Sequence, residues 1–115
     1  MGIRIAVLLS GSGTTLQNLI DRMDAGEVDG EVVCVLSSRH GAYGLERARN
    51  HHIPAITVAR KDHAGHAAFN EALWAEIRAC APDLVVLAGF MSLLAVPEDY
   101  QNRIVNVHPA LIPAF

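Results

Sequence analysis

Apolar runs of strand length, each followed by a stretch of helical spacing, constrain this chain most. Ile3 to Leu9 is apolar except for Arg4, the pattern of a strand buried on both faces. Glu31 to Leu36, Asp83 to Ala88 and Arg103 to Val107 repeat it, and Ala55 to Val58 is a shorter version. Between them, Leu16, Leu19, Ile20 and Met23 follow helical spacing, with Gly26 as a stop. A loop from Ser37 to Ala42 precedes a short helix over Gly44 to His52, with Pro54 beyond it. Phe69, Ala72, Leu73, Ile77 and Cys80 form one apolar stripe of a longer helix that Pro82 ends. Trp74 lies off that stripe and is expected to cover its edge. Gly89 opens a loop, and Pro97 to Tyr100 reads as one helical turn. Five strands alternating with helices predict an α/β fold built from βαβ units, a mainly parallel sheet with helices on both faces.

No linker, repeat or low-complexity tract divides residues 1–115, so the expectation is a single domain or part of one. The sequence stops at Phe115 with no helix to cover that side of the last strand. It is therefore expected to be the N-terminal portion of a larger domain, or a natural truncation, with a sheet edge prone to association. Nine Lys and Arg against 12 Asp and Glu leave a net charge of −3, without a basic run. That argues against a nucleic-acid or membrane-surface binder. The N-terminus lacks a signal-peptide layout, and Cys34 and Cys80 sit inside apolar patterns as buried free thiols, which points to the cytoplasm. His51 and His52 close a helix, and His63 and His66 have no further ligand at metal-site spacing, so no metal is expected.

Two segments carry chemistry. The first is Ser10-Gly-Ser-Gly-Thr-Thr15, which follows the first strand and opens the first helix. Small residues let backbone N–H groups approach an anion, and a helix N-terminus favours negative charge. Walker A is excluded because no Lys is present. The dinucleotide fingerprint is excluded by Leu16, where a third Gly belongs, and by Ser37 and Ser38, where an acid belongs. A single phosphate monoester fits better. The competing reading is a tight turn with Ser12 or Thr14 capping the helix.

The second segment is Asn106-Val-His108-Pro109. Strand alternation puts Asn106 and His108 on one face, at a carboxyl end where open α/β sheets keep their ligand crevice. An amide that stabilises an oxyanion beside an imidazole that moves a proton suits acyl transfer. The alternative is a polar pair that merely ends a strand.

Taken together, Ser10 to Gln17, Pro82 to Met91 and Asn106 to Pro113 resemble the phosphoribosylglycinamide formyltransferase family of folate-dependent formyltransferases, and Gly44 to Ala48 adds a weaker fourth segment. The resemblance implies a Rossmann-like formyltransferase fold truncated after the fifth strand. It implies transfer of a formyl group from 10-formyltetrahydrofolate to glycinamide ribonucleotide in purine (IMP) biosynthesis, with no metal. By this resemblance Gly11, Ser12, Gly13, Thr14 and Thr15 hold the ribonucleotide phosphate, with Pro109 as a further contact. Met91, Ser92, Leu93 and Leu94 bind the pterin, largely through backbone groups. His66 aligns with a folate-contacting Arg of relatives, and Ser92 stands where relatives often have Arg. Asn106 is the oxyanion amide and also touches the folate, and His108 is the general acid. An Asp later in the family's domain orients that His. The implied partners are the two small molecules, with a homodimer as the assembly.

Formyltetrahydrofolate hydrolase would call for a second His after His108, where Pro109 stands, and methionyl-tRNA formyltransferase for a basic surface. A non-catalytic phosphate-binding module and a nucleotide-dependent oxidoreductase are readings from other classes.

Overall fold

A continuous apolar run needs cover on both sides, and the first strand finds it at the centre of the sheet. The computed structural model describes residues 2–90 and 94–107. β1 (Ile3–Leu9), β2 (Gly30–Ser37), β3 (Ala55–Thr57), β4 (Leu84–Ala88) and β5 (Ile104–Val107) form one sheet in the order β3-β2-β1-β4-β5. Every pairing is parallel. The helices are α1 (Thr14–Asp24), α2 (Tyr43–Asn50) and α3 (His66–Cys80), with single 3₁₀ turns at Arg60–Asp62 and Glu98–Tyr100. The predicted α/β architecture is thus the observed one, with each of the five expected strands formed.

Strand alternation divides β1 between two cores. Ile5, Val7 and Leu9 pack with Leu16 and Ile20 of α1 and Leu45 and Ala48 of α2. Ala6 and Leu8 pack with Phe69, Leu73 and Ile77 of α3. Arg4, the charge that interrupts the run, sits at the amino edge. Its guanidinium donates to the carbonyls of Cys80 (2.7 Å) and Ala81 (3.0 Å), satisfying groups that the end of α3 leaves unpaired. Its amide binds the Asp83 carboxylate at 3.0 Å. One side chain thereby ties the entry of β1 to the turn between α3 and β4.

α3 buries a wider face than its apolar stripe implies. Trp74 is 4% exposed rather than lying along an edge. Its indole N–H donates to the Ala95 carbonyl at 2.8 Å, and its ring centroid is 5.2 Å from that of Tyr100. The chain after β4 returns over α3 and covers this second face. Asn70 holds the same segment, its side-chain oxygen accepting the Ala95 amide at 2.8 Å. The Arg78 guanidinium pairs with Asp99 at 2.8 Å and holds that carboxyl below its usual range. Tyr100 donates its hydroxyl to the Pro82 carbonyl.

Both thiols are free; Cys34 is fully buried, and burial pushes its thiol up, whereas Cys80, expected to be buried, is only partly so. Among the described residues no helix is long and apolar enough to cross a membrane.

Among the described residues Phe69 is the largest fully buried side chain, and it stacks on Phe90 with centroids 6.4 Å apart. Phe69→Ala is expected to cost about 3–5 kcal/mol, from lost burial and the cavity left behind. Urea unfolding checks this, and a loss below about 1 kcal/mol would mean that the α3 core collapses to fill the space.

Candidate active site

In a parallel sheet every strand delivers its chain to the same edge. The strand order runs outward from β1 to β3, then crosses to β4 and β5, so the order reverses between β1 and β4. Ligands of open α/β sheets bind at the carboxyl ends beside such a reversal. The glycine loop leaves β1 there, and Gly89, at φ 75°, turns the chain out of β4.

The glycine loop is a packed turn. Gly13 adopts φ 78° and caps α1, and its carbonyl accepts the Gln17 amide at 2.9 Å. No side chain caps the helix, so the cap that the competing reading gave to Ser12 or Thr14 is not formed. Their hydroxyls lie 3.2 Å from each other instead, on either side of the cap residue. The first-turn amides of a helix have no partner inside it and point at the space before its N-terminus. A Cβ on Gly13 would meet the Gly44 Cα at 2.6 Å, so the loop rests directly on the backbone of α2. The Gly44 amide donates to the Gly11 carbonyl at 3.1 Å. From the same helix Arg47 donates Nε–H to the Ser12 carbonyl at 2.7 Å. A guanidinium and a helix N-terminus therefore flank one loop, and both favour an anion. Ser10, just before it, is buried with its Oγ 2.5 Å from that of Ser38.

Asn106 lies on the other side of the crevice. It pairs in register with Leu87 of β4, which pairs with Leu8 of β1. Ile104 packs into the α3-side core and Val107 against the opposite one, so alternation turns Asn106 toward the α3 side. It is exposed at the carboxyl edge. His66, also exposed, opens α3 on that side and edge, where Phe90 stacks on Phe69 and Leu94 packs against the same core. The residues expected at the phosphate, Gly11 to Thr15, are together in one loop, and Asn106, Leu94 and His66 share the α3 side. His108, Pro109, Met91, Ser92 and Leu93 lie outside the described residues.

Several positioning residues escape a reading of the sequence. Arg47 and Gly44 brace the glycine loop from 30 or more residues away, and Asn70 and Trp74 fix the segment that follows the Met91–Leu94 stretch. The Gly44-Leu-Glu-Arg-Ala48 segment is visible in the sequence, but its contact with the loop exists only in three dimensions. Among the described residues no group of three or more His, Cys, Asp or Glu is placed to hold a metal ion.

The match to the formyl transferase family spans residues 3–115. The chain belongs to the formyl transferase family. Phosphoribosylglycinamide formyltransferase of Haemophilus influenzae is 37% identical over 114 residues, which cover 97% of this chain and 54% of that protein. The protein of the same name from Escherichia coli is 40% identical, covering 98% and 54%. Among solved structures, glycinamide ribonucleotide transformylase 1 from Symbiobacterium toebii superposes with a TM-score of 0.87 at 45% identity, covering 99% of this chain and 55% of that one. Phosphoribosylglycinamide formyltransferase from Coxiella burnetii gives 0.90 at 36%, covering 100% and 55%. This formyl transferase chain thus spans about half the length of the curated relatives it matches. The Rossmann-like fold expected from the sequence is the fold of these structures.

Proposed function

We propose that residues 1–115 are the N-terminal portion of a formyltransferase domain. They carry the phosphate loop and the oxyanion amide for formyl transfer from 10-formyltetrahydrofolate to glycinamide ribonucleotide, a step of purine synthesis. The supporting observation is the position of Asn106, exposed at the carboxyl edge two strands from β1. Two strand spacings are about 10 Å, a gap that a sugar phosphate with an amine-bearing arm can bridge.

In this reading Gly11, Ser12, Gly13, Thr14 and Thr15 hold the ribonucleotide phosphate at the α1 N-terminus. Pro109 adds a contact. The substrate amine attacks the formyl carbon, and negative charge builds on the formyl oxygen. Asn106 donates a hydrogen bond to that oxygen. His108 gives a proton to the departing folate nitrogen. Met91, Ser92, Leu93 and Leu94 hold the pterin through backbone groups, with His66 on the same side. Similarity to enzymes named for this ribonucleotide supports the choice of substrate. The reading takes two small molecules as partners and the cytoplasm as the compartment. It also takes a homodimer as the assembly, which sedimentation tests.

Thr14→Asp tests the phosphate assignment. Thr14 is exposed and first in α1, where an acid suits the helix dipole, so thermal stability should hold or rise slightly. A carboxylate there repels a phosphate, and calorimetry should find ribonucleotide affinity lower by about tenfold or more. Unchanged affinity would make the loop a turn and nothing else.

A further inference from the structure

Formyl transfer makes no use of the two thiols, yet the fold brings them together in the α3-side core. Cys34 of β2 and Cys80, the last residue of α3, belong to one cluster there. A β-bulge puts Cys34 on that side. Ile5 pairs with Val32 and Ala6 with Cys34, so Val33 is an extra residue on β2. Val32 faces the opposite core, and strict alternation would return Cys34 to it. The bulge re-aims the strand, and Val33 and Cys34 both face α3.

α3 supplies the second thiol. Phe69, Leu73 and Ile77 form its fully buried stripe, the helix lies against β2, and Cys80 extends the stripe at its carboxyl end. Arg4 holds the Cys80 backbone there, its guanidinium donating to the Cys80 carbonyl at 2.7 Å. The Cys80 thiol faces the Cys34 thiol closely enough to interact with it. The two differ in access. Cys34 is 0% exposed, whereas Cys80 is partly exposed. Burial first, and then the neighbouring thiol, push the Cys34 thiol up and keep it protonated. An oxidant arriving from solvent therefore meets Cys80 first.

We propose that Cys34 and Cys80 are a redox pair that closes to a disulfide when the chain meets a peroxide, joining the end of α3 to β2. The Cys80 sulfur attacks one peroxide oxygen. The O–O bond breaks, a sulfenic acid forms, and the leaving hydroxide takes up the Cys80 proton as water. The Cys34 sulfur then attacks the Cys80 sulfur. The S–S bond forms, the S–O bond breaks, and the departing hydroxide carries off the Cys34 proton as a second water. Two thiols lose two electrons in all, and one peroxide gains them. A small-molecule thiol reverses the change by exchange. The difference in access suits this order, because Cys34 is shielded from the oxidant and reacts only with its neighbour. Cys80 lies with Arg4 at the amino edge of the sheet, opposite the crevice, so the proposal stands independently of formyl transfer.

The test is titration of the whole chain with hydrogen peroxide, followed by thiol alkylation in denaturant and mass spectrometry without reduction. The expected product is a single chain with no alkylated thiol, in which tryptic peptides 23–39 and 79–103 are joined. Dithiothreitol should restore both thiols. Cys80→Ser should keep the fold, because the side chain is only partly buried, and should slow loss of the Cys34 thiol by about tenfold or more. Cys34→Ala should halt the reaction after its first step, so that dimedone labels the Cys80 sulfenic acid several-fold more than in the parent. The proposal is overturned if both thiols survive millimolar peroxide, or if Cys80 passes to sulfinic acid while Cys34 stays free. It is equally overturned if the bond that forms joins two chains, or if Cys34 oxidises as fast in Cys80→Ser as in the parent.

Discussion

Asn106→Ala is expected to lower the turnover of a formyltransferase carrying this segment by about 10²–10³-fold, the cost of losing one oxyanion donor. Folding should barely change, because the side chain is exposed at the carboxyl end of β5, and exposed truncations usually cost under about 0.5 kcal/mol. The Michaelis constant for the ribonucleotide should also move little. On the proposed reading the phosphate is held across the sheet by the loop after β1, and the carboxamide acts where charge develops. Asn106→Asp should be at least as damaging, since it keeps the shape and sets a negative charge against the developing one. Steady-state kinetics on purified variants separate these effects. Full turnover in Asn106→Ala would remove this residue from the reaction.

Gly13→Ala is expected to be the most costly single-methyl change in the glycine loop. A left-handed backbone costs a non-glycine residue about 1–2 kcal/mol. Gly13 has φ 78°, and its added Cβ would also lie 2.6 Å from the Gly44 Cα, a backbone atom that cannot swing away. Such overpacking adds about 1–3 kcal/mol. Gly26 supplies the control. It has the same φ of 78°, with nothing within 4 Å of a Cβ, so Gly26→Ala carries the strain alone. The difference between the two variants in chemical denaturation isolates the contact between the loop and α2. Ribonucleotide binding should weaken in Gly13→Ala and stay normal in Gly26→Ala. Equal destabilisation would mean that the loop can lift from α2 without cost.

Two readings that the structure corrected share a cause. Ser12 and Thr14 have the right chemistry for a helix cap, yet Gly13 holds that position. The reason is the close passage of α2, which no local pattern records. Trp74 falls outside the i, i+3, i+4 stripe of α3, yet it is buried, because residues 94–100 fold back across a second face of the helix. Local periodicity sees one contact surface at a time, and the second surface was supplied by chain more than 20 residues later.

What the sequence determined alone is whatever local geometry dictates. Doubly buried parallel strands must be apolar on both faces, so Ile3–Leu9 and Leu84–Ala88 announce themselves. A turn that lets backbone amides approach an anion needs small residues, so Ser10 to Thr15 stands out before any fold is known. Tertiary structure decided which distant groups serve those segments. It put Arg47 and Gly44 beneath the glycine loop, and Asn70 and Trp74 on the chain after β4. Such contacts join residues tens of positions apart, where backbone dihedrals and side-chain period carry no information, and only the strand order and helix packing bring them within reach.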